Sequence, residues 1–215
     1  MPSARHYWLI EHDVLFDLEH MSEFFAHFEA HPEYDFLAGW YQIHGNQWAN
    51  TAAMLPFADP VYGCLFPVVR VSAAAADHLA VERGRVSEAF LAGHVKIVPN
   101  DEAFTASVLT TAGYRCADLN SLGREFYKRE EFCFGPPVPR RVFGGVGQPR
   151  TGRIHHPVAS GETLRRKATE WLYRAPDAMF HSRAATAAEA IRTELGDAVG
   201  ATFDATVVET AARFR

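Results

Sequence analysis

The sequence predicts an α/β fold with a mixed, mostly parallel sheet and flanking helices, on three observations. A short aromatic and branched run, Tyr7 to Ile10, ends in charged residues. The apolar spacing then changes to that of a helix between Leu18 and Phe28, and a second strand-like run follows at residues 35–41. Strand, helix, strand in that order is the unit that sets its strands parallel through a right-handed crossover.

Each element has a local reason. Residues 7–10 are too few for a helix and too apolar for a loop, which suits a buried strand whose carboxyl end reaches the surface at Glu11, His12 and Asp13. In "DLEHMSEFFAHFEAHPE", Leu18, Met21, Phe24, Phe25 and Phe28 share one helical stripe that Pro32 closes. "DFLAGWY" (35–41) reads as a second strand, and residues 42–60, rich in Asn, Gln and Trp, read as a surface loop. "CLFPVVRVS" (64–72) reads as the next strand, with Ser72 capping a helix over 73–84 and Gly84 stopping it. Asn100 or Asp101 caps a further helix that turns Phe104, Val108 and Leu109 inward and ends at Gly113. From 135 to 161 the Gly and Pro content predicts a mobile loop with a short strand near "RIHH", and helices follow at 162–174 and 183–196. The expected layout is an α/β domain over residues 1–161 and a C-terminal helical extension over 162–215 packed on the same domain.

Composition narrows the function classes. Of 215 residues, 48% are hydrophobic and 22% charged, which excludes disordered and collagen-like chains. A net charge of -5 argues against a general nucleic-acid partner. The charge is uneven, however. Residues 1–35 carry Glu11, Asp13, Asp17, Glu19, Glu23, Glu29, Glu33 and Asp35 against Arg5 alone, whereas Arg140, Arg141, Arg150, Arg153, Arg165, Arg166, Lys167 and Arg174 dominate residues 137–174. Cys64, Cys116 and Cys133 are odd in number and widely spaced, so no disulfide framework or zinc ribbon is expected, and a reducing compartment fits. No apolar run approaches the roughly 18 residues of a membrane span, and the polar start is no signal peptide. A cytoplasmic protein is the expectation.

Two acids at a strand's carboxyl end, in an open α/β sheet, stand where such folds bind ligands. Alternation would project Glu11 and Asp13 to one side, and a hard cation such as Mg2+ or Mn2+ can hold both ionised; a solvated strand end or a helix cap at Asp13 is the bland alternative. His156, held extended before Pro157, is a second ligand candidate, although paired histidines near a turn are often incidental. Arg150, Arg153, Arg165, Arg166 and Lys167 are placed to close over a diphosphate, or else simply to form a solvated basic helix. Glu102, at a helix start, is either a cap or a catalytic base, with Asp101 beside it in the same position. Trp40, Tyr41 and Trp48 are candidates to stack on a sugar ring, or core residues.

Taken in order, "YWLIEHDVLF", "YDFLAGWY", "LFPVVRVS", "NDEAFTASVLTTAGYRCADL" and "RIHHPV" resemble the catalytic half of a GT-A-type glycosyltransferase, over roughly residues 5 to 160. The resemblance rests on a Trp-x-x-Glu-x-Asp strand, a later Glu-x-Phe and a His-Pro near the end. It implies a metal-dependent transfer of a sugar from a nucleotide-sugar donor to a glycan or other hydroxyl acceptor. Asp13, supported by Glu11, and His156 would then bind Mn2+ or Mg2+, Glu102 would act on the acceptor side, and Arg70 would contact the diphosphate or acceptor. Only ten residues precede Glu11, where GT-A enzymes carry a nucleotide-binding sheet. That difference implies a homodimer or partner chain supplying the missing half, or a non-catalytic carbohydrate- or partner-binding module. A metal-dependent phosphoester hydrolase using the same acids and histidines is a third reading.

Overall fold

The computed structural model of the protein describes residues 4–45, 48–143, 149–174 and 177–212. It has a mixed α/β architecture, and the chain divides into two compact units: residues 1–12 with 20–126, and residues 13–19 with 127–215. Strand β1 (His6–Ile10) belongs to the first unit and β2 (Leu15–Asp17) to the second. The sequence places a boundary at residue 161, whereas the second unit begins at Tyr127 and also claims residues 13–19, because β2 finds its pairing partner there.

In the first unit, α1 (Met21–Glu29) leads to β3 (Phe36–Ile43), a short α2 (Thr51–Met54), β4 (Tyr62–Ser72), α3 (Ala73–Leu91), α4 (Asp101–Thr111) and β5 (Cys116–Asp118). The sheet order is β1-β4-β3-β5. β1 and β3 do run in the same direction, as strand-helix-strand order requires, but β4 lies between them and is antiparallel to both; only β3 and β5 pair in parallel. The expectation of a mostly parallel sheet is thus corrected. Among the described residues, the segment from 44 to 61 holds only one turn-length helix, too little for a crossover, so β4 folds back directly against β3.

The helix caps and stops read from the sequence over residues 72–113 hold, with one exception. Ser72 Oγ accepts the Ala75 N–H at 3.2 Å and Asn100 Oδ1 accepts that of Ala103 at 3.1 Å, while Gly113, at φ +83°, ends α4 in the left-handed conformation. Gly84 does not stop its helix. A side chain there would meet open space, so α3 runs on to Leu91 at the modest propensity cost of one interior glycine.

One face of the α1 stripe is the core: Phe24 and Phe28 are fully buried, and their rings pack on each other at 4.9 Å and with Trp8 and Phe126 at centroid distances from 5.0 to 5.5 Å. Phe36, Ala38, Val69, Ala106 and Leu109 join β3, β4 and α4, and Phe104 packs with Met54, Val61 and Val86. At the register break in β3, Trp40 adopts φ +57°, a left-handed backbone that costs a non-glycine residue about 1–3 kcal/mol.

The second unit is built on two small pairings. β2 is antiparallel to β7 (Arg153–His155), and β6 (Val138–Pro139) runs parallel to β8 (Val158–Ala159). The short strand expected near "RIHH" is β7, and the mobile loop expected around it is corrected for residues 157–159, which are buried as Val158 is drawn into the core despite the glycines and prolines before it. Residues 144–148 of that expected loop lie outside the described residues. Helices α5 (Gly161–Arg174), α6 (Asp177–Leu195) and α7 (Asp197–Ala211) close around Leu164, Ala168, Leu172, Ala187, Ile191 and Phe203. Gly200 lets α7 approach α6, since a Cβ there would stand 2.9 Å from that of Arg192. No helix among the described residues is long and apolar enough to cross a membrane.

Candidate functional site

β1 ends at Ile10, so Glu11 and Asp13 follow the strand and are not alternating residues of it. Glu11 is exposed and held in the first unit by its N–H to the Pro67 carbonyl at 2.8 Å. Asp13 opens the segment that belongs to the second unit, where its carbonyl accepts the Val158 N–H at 2.8 Å. That bond fixes Asp13 beside β8. Its side chain is 4% exposed; Oδ2 accepts Lys167 Nζ at 2.5 Å and stands 3.6 Å from His156 Nε2. Oδ1 is buried with no hydrogen-bond partner among the described residues.

His156 is positioned through its backbone, whose N–H donates to Glu131 O at 2.8 Å and whose carbonyl accepts from Cys133 at 3.1 Å. The ring Nδ1 lies 3.1 Å from Cys133 O. A carbonyl only accepts, so Nδ1 carries the hydrogen, and a neutral ring turns its Nε2 lone pair towards the Asp13 carboxylate. Two electron-rich atoms facing one another in a buried place require a proton or a cation. Burial pushes the Asp13 carboxyl up, but the hydrogen bond and charge of Lys167, joined by His156 when its ring is protonated, outweigh it and hold it below the ordinary range.

Asp17, at the end of β2, behaves alike. Burial is the largest influence and raises its carboxyl, yet the bonds from Thr151 and Arg150 leave it depressed. A depressed folded-state value means that Asp13 and Asp17 stabilise the fold above their unfolded value, near pH 4, and cease to do so as the pH falls through the folded value. Urea midpoints measured from pH 6 to pH 3 are expected to drop across this window, and the drop should flatten in Asp17→Asn; an unchanged slope in that variant would count against the assignment.

The other sequence candidates separate. Lys167 meets Asp13, as above. Arg153 Nε donates to Glu131 Oε2 at 3.3 Å, Arg150 pairs with Asp17, and Arg165 and Arg166 pair along α5 with Glu162 and Glu170, so the expected basic clamp is largely engaged with carboxylates. Arg70, read from sequence as a diphosphate or acceptor contact, is corrected. It is 2% exposed, and its guanidinium donates to the carbonyls of Phe28, His31 and Tyr34. It caps the end of α1 instead.

In the first unit Asp101 is exposed and paired with Arg83 at 2.5 Å, the position of a surface helix-end acid. Glu102 is different. Burial, with the charges of Glu11 and Asp101 adding to it, pushes its carboxyl up to about 7 against the opposing hydrogen bonds from Asn100 and the Phe66 backbone. Trp48 is not a free stacking platform: its ring stacks on His44 at 4.0 Å, and a Cβ at Gly63 would lie 2.5 Å from it. Trp40 is half-buried at the β3 register break.

No model of a known protein family matches the chain, and comparisons with curated proteins and with solved structures find no match either. The residues themselves therefore carry the functional reading. Sequence reasoning missed Asp17, Glu131, Thr151 and His155, which meet in the second unit. The one available signal was "IHH" itself, because in a strand neighbouring residues face opposite ways and His155 had to serve a different environment from His156.

Proposed function

We propose that this chain is a metal-dependent glycosyltransferase that moves a sugar from a nucleotide-sugar donor to a hydroxyl acceptor. The observation that carries the reading is the meeting of Asp13 and His156, far apart in sequence, at 3.6 Å beside a buried carboxylate oxygen with no hydrogen-bond partner among the described residues. A carboxylate and an imidazole lone pair make a donor set that fits Mn2+ better than Mg2+, which favours oxygen alone. A bound ion would neutralise charge on a departing diphosphate. Asp13 and His156 would hold the ion; Lys167, now on Asp13, would be released towards phosphate oxygens. The burial-raised carboxyl of Glu102, at about 7, has the proton affinity of a general base, the role that the resemblance gives it. The order of motifs that resembles GT-A enzymes gives the reaction class.

A second reading has its own support. Lys167, 2.5 Å from Asp13, already supplies the positive charge that the carboxylate needs, as in a metal-free carbohydrate- or partner-binding module.

Calorimetry with Mn2+, alone and then with uridine diphosphate, separates the two. Metal binding to the wild type, weakened about tenfold or more in Asp13→Ala and in His156→Ala, is the expected result. Lys167→Ala should bind metal more tightly and nucleotide less well, having lost a competing cation. No heat from the wild type at millimolar Mn2+ would reject the enzyme reading, and sugar binding indifferent to EDTA would establish the module.

A further inference from the structure

We propose that Thr151, His155 and Glu131 form a second catalytic centre, in which Thr151 is the nucleophile, His155 its base and Glu131 the positioning carboxylate, acting on small neutral carboxylic esters. Thr151 Oγ1 stands 2.8 Å from His155 Nε2, and His155 Nδ1 lies 3.5 Å from Glu131 Oε2. An ionised carboxylate only accepts, so Glu131 draws the ring hydrogen to Nδ1 and leaves the Nε2 lone pair to accept from the Thr151 hydroxyl. This is the nucleophile, base and orienter sequence that activates a hydroxyl.

The surroundings are those of a built site. His155 is 2% exposed and lies under the Phe143 ring at a centroid distance of 4.4 Å, whereas Thr151 is exposed. Both line a cavity of about 380 Å³ with Asp17, Glu131, Val142 and Phe143. The nucleophile's backbone is fixed from below: Asp17 accepts the Thr151 N–H at 2.8 Å on Oδ2 and Arg150 at 3.0 Å on Oδ1, and its carbonyl accepts the Gly152 N–H at 3.0 Å. The Asp17 carboxylate can also accept the Thr151 hydroxyl, so the hydroxyl turns between Asp17 and His155 Nε2, and it is the rotamer directed at His155 that is activated. Pairing of Leu15 with His155 sets the base in register with that anchor.

Substrate class follows from the lining. Val138, Val142 and Phe143 offer an apolar wall for an acyl chain, and Glu130 and Glu131 disfavour anions. In the step itself, Thr151 Oγ1 bonds to the carbonyl carbon and the carbon–alkoxide bond breaks. The hydroxyl proton passes to His155 Nε2 and from there to the departing alkoxide. Water then attacks the acyl-Thr151 ester with the same proton relay, releasing the acid and restoring the hydroxyl.

The full chain with p-nitrophenyl acetate, in EDTA to silence any metal chemistry, tests this. Release of nitrophenol above the buffer rate, with an acetyl group located on Thr151 by tandem mass spectrometry, is expected. Thr151→Ala should lose the adduct and about a hundredfold in rate, while Thr151→Ser keeps both, which separates chemistry from folding. Glu131→Gln should lower kcat with little change in KM, a split that a merely structural role would not produce. Hydrolysis no faster than buffer, acetylation confined to other residues, or full activity in Thr151→Ala would overturn the proposal. The assay is independent of metal, so its failure leaves the glycosyl-transfer reading untouched.

Discussion

Arg70→Ala is expected to destabilise the first unit by about 3 kcal/mol, since each hydrogen bond from a charged donor contributes about 1.5–3 kcal/mol and the vacated space adds a cavity. The wild-type guanidinium donates to three carbonyls at the end of α1, with the bonds to His31 and Tyr34 at 2.7 and 2.9 Å. Removing it leaves those oxygens buried without their charged donor. Arg70→Lys should recover only part of the loss, because a single ammonium cannot fan out to all three. Trp8 pairs with Arg70 across β1 and β4 and packs on Phe24 and Phe28, so its fluorescence reports the unfolding directly. A fall in the urea midpoint at unchanged slope is the expected signature; a loss under about 1 kcal/mol, within the range of ordinary substitutions, would show that the carbonyls are satisfied in another way.

Glu102→Gln is expected to act in the opposite direction, by an amount that grows as the pH rises from about 4 to about 7. A carboxyl that titrates near 4.3 when unfolded and at about 7 when folded penalises the folded state once ionised, so wild-type stability falls as the pH rises between these values and levels off above. At pH 8 the glutamine variant should be more stable by on the order of 2–3 kcal/mol, and at pH 4 about equal. His6, His27 and His155, whose burial lowers their values, tilt the wild-type curve the other way, so the difference between variant and wild type is the quantity to measure. A difference that does not change between pH 4 and pH 8 would place Glu102 in contact with water.

Elements with strong local signals were legible in the sequence. Ser72 and Asn100 cap the helices they precede, Gly113 ends α4, and Phe24 and Phe28 mark the core face of α1. What escaped depends on pairing over distance. Nothing local tells that β4 inserts between β1 and β3, or that Leu15 pairs with His155. α7 escaped for another reason. Its Ala and Thr residues carry little periodicity, and Gly200 reads as a break although it serves as a point of close approach to α6. The site was legible to the level of residue type. Asp13, His156 and Lys167 do meet, whereas Arg70 carried the right charge and the wrong environment, since a strand's inward face is invisible until its neighbours are known.

The placement of residues 13–19 governs how this protein can be made and cut. During synthesis the segment emerges early, but β7, its pairing partner, is translated only after the whole first unit. The last unit to mature must therefore reach back for a strand held in waiting, a contact of long sequence separation that slows folding. A fragment starting at Tyr127 would lack β2, Asp13 and Asp17 together. Any division of the gene into independent pieces has to supply that heptapeptide in trans.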